Sequence, residues 1–205
     1  MSWLNSFKKD ESALKKLSTK IFENSLLCAE SLKPELEEKY GKDSKDFHST
    51  YFPVLFEFMY FFLHITNRSA FGQLGQEKRN KLQNELVPPV IDATIEALFR
   101  HWPKNLKDGI KEDFYSNLNN AEIDYSSCKE LLLKPEDDTP TLEKIESGKK
   151  SKSMVGQLTD NLSEIIEGKI NMNIFFEMRI WDIVIEILKK KEIETLVLEV
   201  SKEIK

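Results

Sequence analysis

One run limits this chain more than any other: Tyr51 to Arg68, YFPVLFEFMYFFLHITNR, its most apolar and aromatic stretch. Nothing breaks it after Pro53, a residue that suits an early helical turn, and its length fits a helix better than a strand. At 100° per residue Phe52, Leu55, Phe56, Phe58, Met59, Phe62, Leu63 and Ile65 spread over most of the helix circumference. Glu57, Phe61, His64 and Arg68 fall on one narrow stripe. Such a helix belongs in a core, with the stripe at water or in an internal network. A membrane span needs about 20 apolar residues, and this run carries Glu57 and His64, so no transmembrane segment is expected.

The central helix is predicted to start near Asp43 or Ser44 and to run to about Ser69, before a turn at Phe71, Gly72, Leu74 and Gly75. Ahead of it, Leu14, Leu17, Ile21, Leu27 and Cys28 recur at helical spacing from Asp10 to about Leu32. A short second helix is expected from near Pro34 to the break at Gly41. Gln76 to Leu86 reads as a polar helix, with a kink or fresh start at Pro88 and Pro89. The pattern of Leu106, Ile110, Phe114, Leu118, Cys128 and Leu132 predicts a helix over 105–133, weakened near Asn119 and Asn120. Further helices follow from Met154 to about Glu167, from Asn171 or Asn173 through Lys190, and over 191–205. The expected fold is therefore all-α: an irregular bundle of about seven or eight helices around the central aromatic one. It forms a single domain over 1–205, with a linker at 134–141, KPEDDTPT, between a larger N-terminal part and a C-terminal helical part.

Composition narrows the functional classes. Seven Gly and seven Pro in 205 residues suit long helices rather than a turn-rich β fold. The net charge of −5 comes from interspersed charges, and only Arg68, Arg79, Arg100 and Arg179 supply guanidinium forks, so no nucleic-acid partner is expected. Cys28 and Cys128 show no metal-ligand or redox spacing and read as buried thiols. No secretory leader is read ahead of the first helix, so a cytoplasmic location is expected, with which reduced thiols would agree.

The stripe is the first candidate site. About 10 Å of helical rise separates Glu57 from His64, too far for both to grip one metal ion. No Glu-x-x-His or His-Glu-x-x-His pattern occurs, so no metal or cofactor is expected. His64 and Arg68 are four apart and suited to an anion or a carboxylate from another helix. The second candidate is Glu177, flanked on its wheel by Ile174, Trp181, Val184 and Leu188, opposite a polar side of Arg179, Asp182, Glu186 and Lys190. A carboxylate on an apolar face needs a proton or a partner, and His64, Arg68 or Arg100 is the expected one.

No catalytic residue is assigned, because no nucleophile motif is present. The chain is expected to be a non-enzymatic helical interaction or regulatory module with a protein partner or a second copy of itself. The alternative is a binding protein or enzyme for a small apolar or anionic ligand, its pocket formed beside Glu57, His64, Arg68 and Glu177. A closed core around His64 favours the first reading, and a cavity reaching solvent there favours the second.

Overall fold

The computed structural model describes residues 12–42, 44–128, 130–131, 153–166 and 174–203, without the side chains of 174–177. Among these residues the protein is all-helical: α1 (Ala13–Tyr40), α2 (Lys45–Leu74), α3 (Gln76–Leu98), α4 (Lys104–Ser126), α5 (Met154–Ile165), α6 (Ile174–Lys189) and α7 (Glu192–Val200). The linker expected at 134–141 and the lead-in before Ser12 lie outside the described residues.

Helix α2 is the hub, packing against α1, α3, α4, α5 and α7. Its N-cap is Ser44, whose hydroxyl accepts from the Phe47 N–H at 3.0 Å. It runs one turn past the expected Ser69, and Gly75 stops it at φ 79° and ψ 174°, a conformation essentially confined to glycine. Val54, Leu55, Phe58, Met59, Phe61 and Phe62 are buried from both sides of the helix, which is what its near-continuous apolar surface requires. No helix among the described residues is long and apolar enough to cross a membrane.

Two expected breaks are absent. Helix α1 continues through Pro34 to Tyr40, and α3 is one helix through Pro88 and Pro89. The reason is common to both. Pro34 and Pro88 are exposed, and the carbonyls that lose their N–H partners belong to the exposed residues Glu30, Asn84 and Glu85, on the sides of the helices open to solvent. On the inner faces Leu32 and Leu36, then Leu86, Val87, Val90 and Ile91, are buried and hold the helices together across the prolines. Helix α4 is likewise unbroken at Asn119 and Asn120, both of which are exposed, and it ends at Ser126, short of the expected 133.

The chain's end segments close the bundle. Met154 N–H donates to the Glu130 carbonyl at 2.9 Å, tying the exit of α4 to the start of α5, where the Ser153 hydroxyl caps the Gly156 N–H. The TLVLEV stretch is helical within α7, and both Glu203 carboxylate oxygens accept from the Ala13 N–H, closing the N-terminus of α1. On α6, Ile180, Val184 and Ile187 are buried while Arg179, Asp182, Glu186 and Lys190 are exposed, as the expected polar side requires.

Candidate functional site

The polar stripe of α2 faces α4 and α5, and its residues have different surroundings. At its start, Glu57 is 7% exposed. Its Oε1 accepts from the Tyr125 hydroxyl of α4 at 2.5 Å and from Asn161 Nδ2 of α5 at 2.7 Å. Burial pushes the Glu57 carboxyl above its ordinary value, against the pull of those two hydrogen bonds, and the nearby charges of Asp124 and Glu164 add to the rise. Burial raises the Tyr125 phenol as well, and the shared hydrogen bonds make these side chains one polar unit joining three helices.

One turn on, Phe61 packs edge-on against Tyr125 with ring centres 5.7 Å apart. His64 is buried at 4% exposure, and its Nδ1 lies 3.0 Å from Glu122 Oε2 of α4. Its Nε2 has no hydrogen-bond partner among the described residues. The tautomer with the proton on Nδ1 donates to Glu122 and leaves only an unfilled lone pair at Nε2, a smaller cost than a buried unpaired N–H. Glu122 also accepts from Asn67 Nδ2 at 3.3 Å, and Arg79 Nε of α3 donates to Asn67 Oδ1 at 2.5 Å. This chain of polar groups links α2, α3 and α4. The hollow that borders it, between Asn67, Leu82, Leu86 and Glu122, is of water size, about 10 Å³.

Arg68 is exposed along its length, and its Nη1 donates to the Cys128 carbonyl at 2.9 Å and lies 3.1 Å from Met154 Sδ. It thereby spans the junction of α4 and α5. Arg100 pairs with Glu96 at 2.7 Å. The Glu177 side chain lies outside the described residues, so its expected contact with His64, Arg68 or Arg100 has no description here. Glu57 and His64 thus lie along one inward seam, Arg68 stands at its exposed end, and the three do not converge on one point.

A groove of about 570 Å³ opens beside the Glu57 end. That volume falls in the range of small-molecule sites. Helix α2 contributes His48, Ser49, Phe52, Pro53, Phe56, Glu57 and Tyr60. The turn after α3 adds Phe99 and Trp102, whose rings form a continuous aromatic surface with Phe52, at centre separations of 4.7 Å for Phe52–Phe99 and 4.9 Å for Phe99–Trp102. Helix α4 presents Asp113, Asn117, Asn120 and Asp124, and α5 presents Asn161 and Glu164. Neither His64 nor Arg68 lines it.

Comparison with protein-family models, with curated proteins and with solved structures finds no match.

The groove therefore rests on its own geometry. Its floor is aromatic, and among the described residues that line it the charged ones are acidic, with no Lys or Arg. Among the described residues no group of three His, Cys, Asp or Glu is arranged to hold a metal ion. Sequence reasoning passed over the α4 wall, although Asp113, Asn117, Asn120 and Asp124 follow the i, i+4, i+7, i+11 spacing of one helical face. The asparagines drew notice there only as weak helix formers.

Proposed function

We propose that this chain is a non-enzymatic binding module whose recognition element is the groove beside the first half of α2. The observation that carries the reading is the solvent-reaching 570 Å³ groove with its aromatic floor and polar walls at the Glu57 end of the stripe. Aromatic surface supplies apolar contact area, and a few placed polar groups fix a ligand's orientation. The closed surroundings of His64 give the stripe's second half a different part: it holds α2, α3 and α4 in register and so keeps the groove walls in place. A regulatory role follows from that construction, since a ligand spanning α2, α4 and α5 stabilises their mutual arrangement.

Thermal-shift screening with a small-molecule library of mixed charge tests the proposal. Hits are expected to raise the melting temperature of the wild type and to lose that effect in Asn117→Trp, in which an indole on an exposed wall position fills the groove without entering the core. Hits whose shift survives in Asn117→Trp, or a library with no hit at all, would count against the groove as the recognition element.

A further inference from the structure

The groove has a charge pattern that narrows its ligand, and this step rests on the binding-module reading. Asp113 and Asp124 mark the two ends of the α4 wall, about 16 Å apart along the helix axis. Asp113 adjoins Phe114, whose carbonyl accepts from the Tyr60 hydroxyl at 3.2 Å. Glu164 of α5 follows one turn after Asn161, which shares the Glu57 carboxylate with Tyr125, the neighbour of Asp124 on α4. Among the described residues no basic side chain pairs with Asp113 or Glu164. Between the two ends the wall carries the neutral amides of Asn117 and Asn120, and beneath them lies the aromatic floor of Phe52, Phe56 and Trp102.

Carboxylates alone would make only a solvated acidic face. Here they bracket an aromatic groove, and it is the combination that specifies a ligand. An anion meets like charge at either end. A single ammonium satisfies one end and leaves the other without a counter-charge. A chain with cationic groups separated by methylenes satisfies both ends, while its methylenes cover the ring faces and its ammonium groups gain from the aromatic quadrupoles. We infer that the groove is a site for a linear aliphatic polyamine, held by Asp113 at one end and Glu164 at the other.

The test uses spermine as the polycation and n-hexylamine as the monoamine, titrated calorimetrically into the full chain at physiological ionic strength. Two paired variants accompany the wild type. Asp113→Asn with Glu164→Gln removes the groove charges, and Glu77→Gln with Glu85→Gln removes the same number of charges from the exposed side of α3. The second pair matters because a net charge of −5 attracts any polycation weakly. Spermine is expected to bind with one-to-one stoichiometry, at least about tenfold more tightly than n-hexylamine, and to weaken by about tenfold or more in the groove pair only. In the wild type it is also expected to shift the side-chain amide resonances of Asn117 and Asn120.

Equal weakening in both pairs, unchanged affinity in the groove pair, or silent Asn117 and Asn120 amides would overturn the assignment. If spermine fails while a neutral or anionic compound from the screen stabilises the wild type but not Asn117→Trp, the polyamine assignment falls and the groove reading stands. If no compound of any charge depends on Asn117, both fall.

Discussion

Phe61→Ala is expected to lower the unfolding free energy by about 3–5 kcal/mol, measured by urea denaturation. Phe61 is fully buried at the centre of α2, where its ring meets Phe62 at 5.3 Å and Tyr125 at 5.7 Å between centres. Truncation removes the transfer energy of a whole ring and leaves a cavity that helices fixed on several sides cannot collapse into. It also strips the packing from the phenol that donates to Glu57. Phe71→Ala is the matched control. The same residue type, later on the same helix, is 55% exposed, and its removal is expected to change stability by no more than about 0.5 kcal/mol. Comparable losses at the two positions would show that α2 is not oriented as described.

The second large effect concerns Glu57, and it depends on pH. The folded state raises its carboxyl above the ordinary value of 4.5. In the window between 4.5 and the raised value, the folded protein binds more protons at this position than the unfolded chain. Its contribution to stability is therefore fully present below 4.5 and is lost as pH rises through the folded value. Glu57→Gln keeps an oxygen for Tyr125 and Asn161 and removes the titration. The stability difference between variant and wild type is expected to move in the variant's favour from pH 5 to pH 8, by at most about 1.4 kcal/mol per pH unit. A difference that stays flat, or moves the other way, would mean that Glu57 is ionised in the fold. Tyr125→Phe provides a pH-independent companion. It removes a donor from a buried acceptor and is expected to cost about 1–3 kcal/mol.

Much of the helical framework is legible from residue spacing. Ser44 and Gly41 mark the start of α2 and the end of α1, and the spacing of Val155, Leu158 and Leu162 places α5. The prolines misled because spacing reveals that a hydrogen bond is lost but not whether water reaches the abandoned carbonyl. Glu30, Asn84 and Glu85 are exposed, and α1 and α3 continue. The same limit applies at the candidate site. That Glu57, His64 and Arg68 share a stripe follows from 3.6 residues per turn. That Glu57 meets Tyr125, that His64 meets Glu122, and that Arg68 reaches the Cys128 carbonyl depend on how α4 crosses α2, which no local pattern encodes. The α4 wall of the groove was written in the spacing of Asp113, Asn117, Asn120 and Asp124, yet a polar helical face ordinarily meets bulk water, and only the neighbouring aromatic floor makes this one different.

The central claim is that the seam is closed at His64 and opens into a groove at Glu57. A neutral gadolinium chelate that relaxes solvent-accessible protons in NMR tests both halves in one titration. The side-chain amides of Asn117 and Asn120, the Trp102 indole N–H and the His48 ring are expected to broaden, while the His64 ring protons stay sharp. Broadening at His64 equal to that at His48, or a Trp102 indole as protected as His64, would contradict the account.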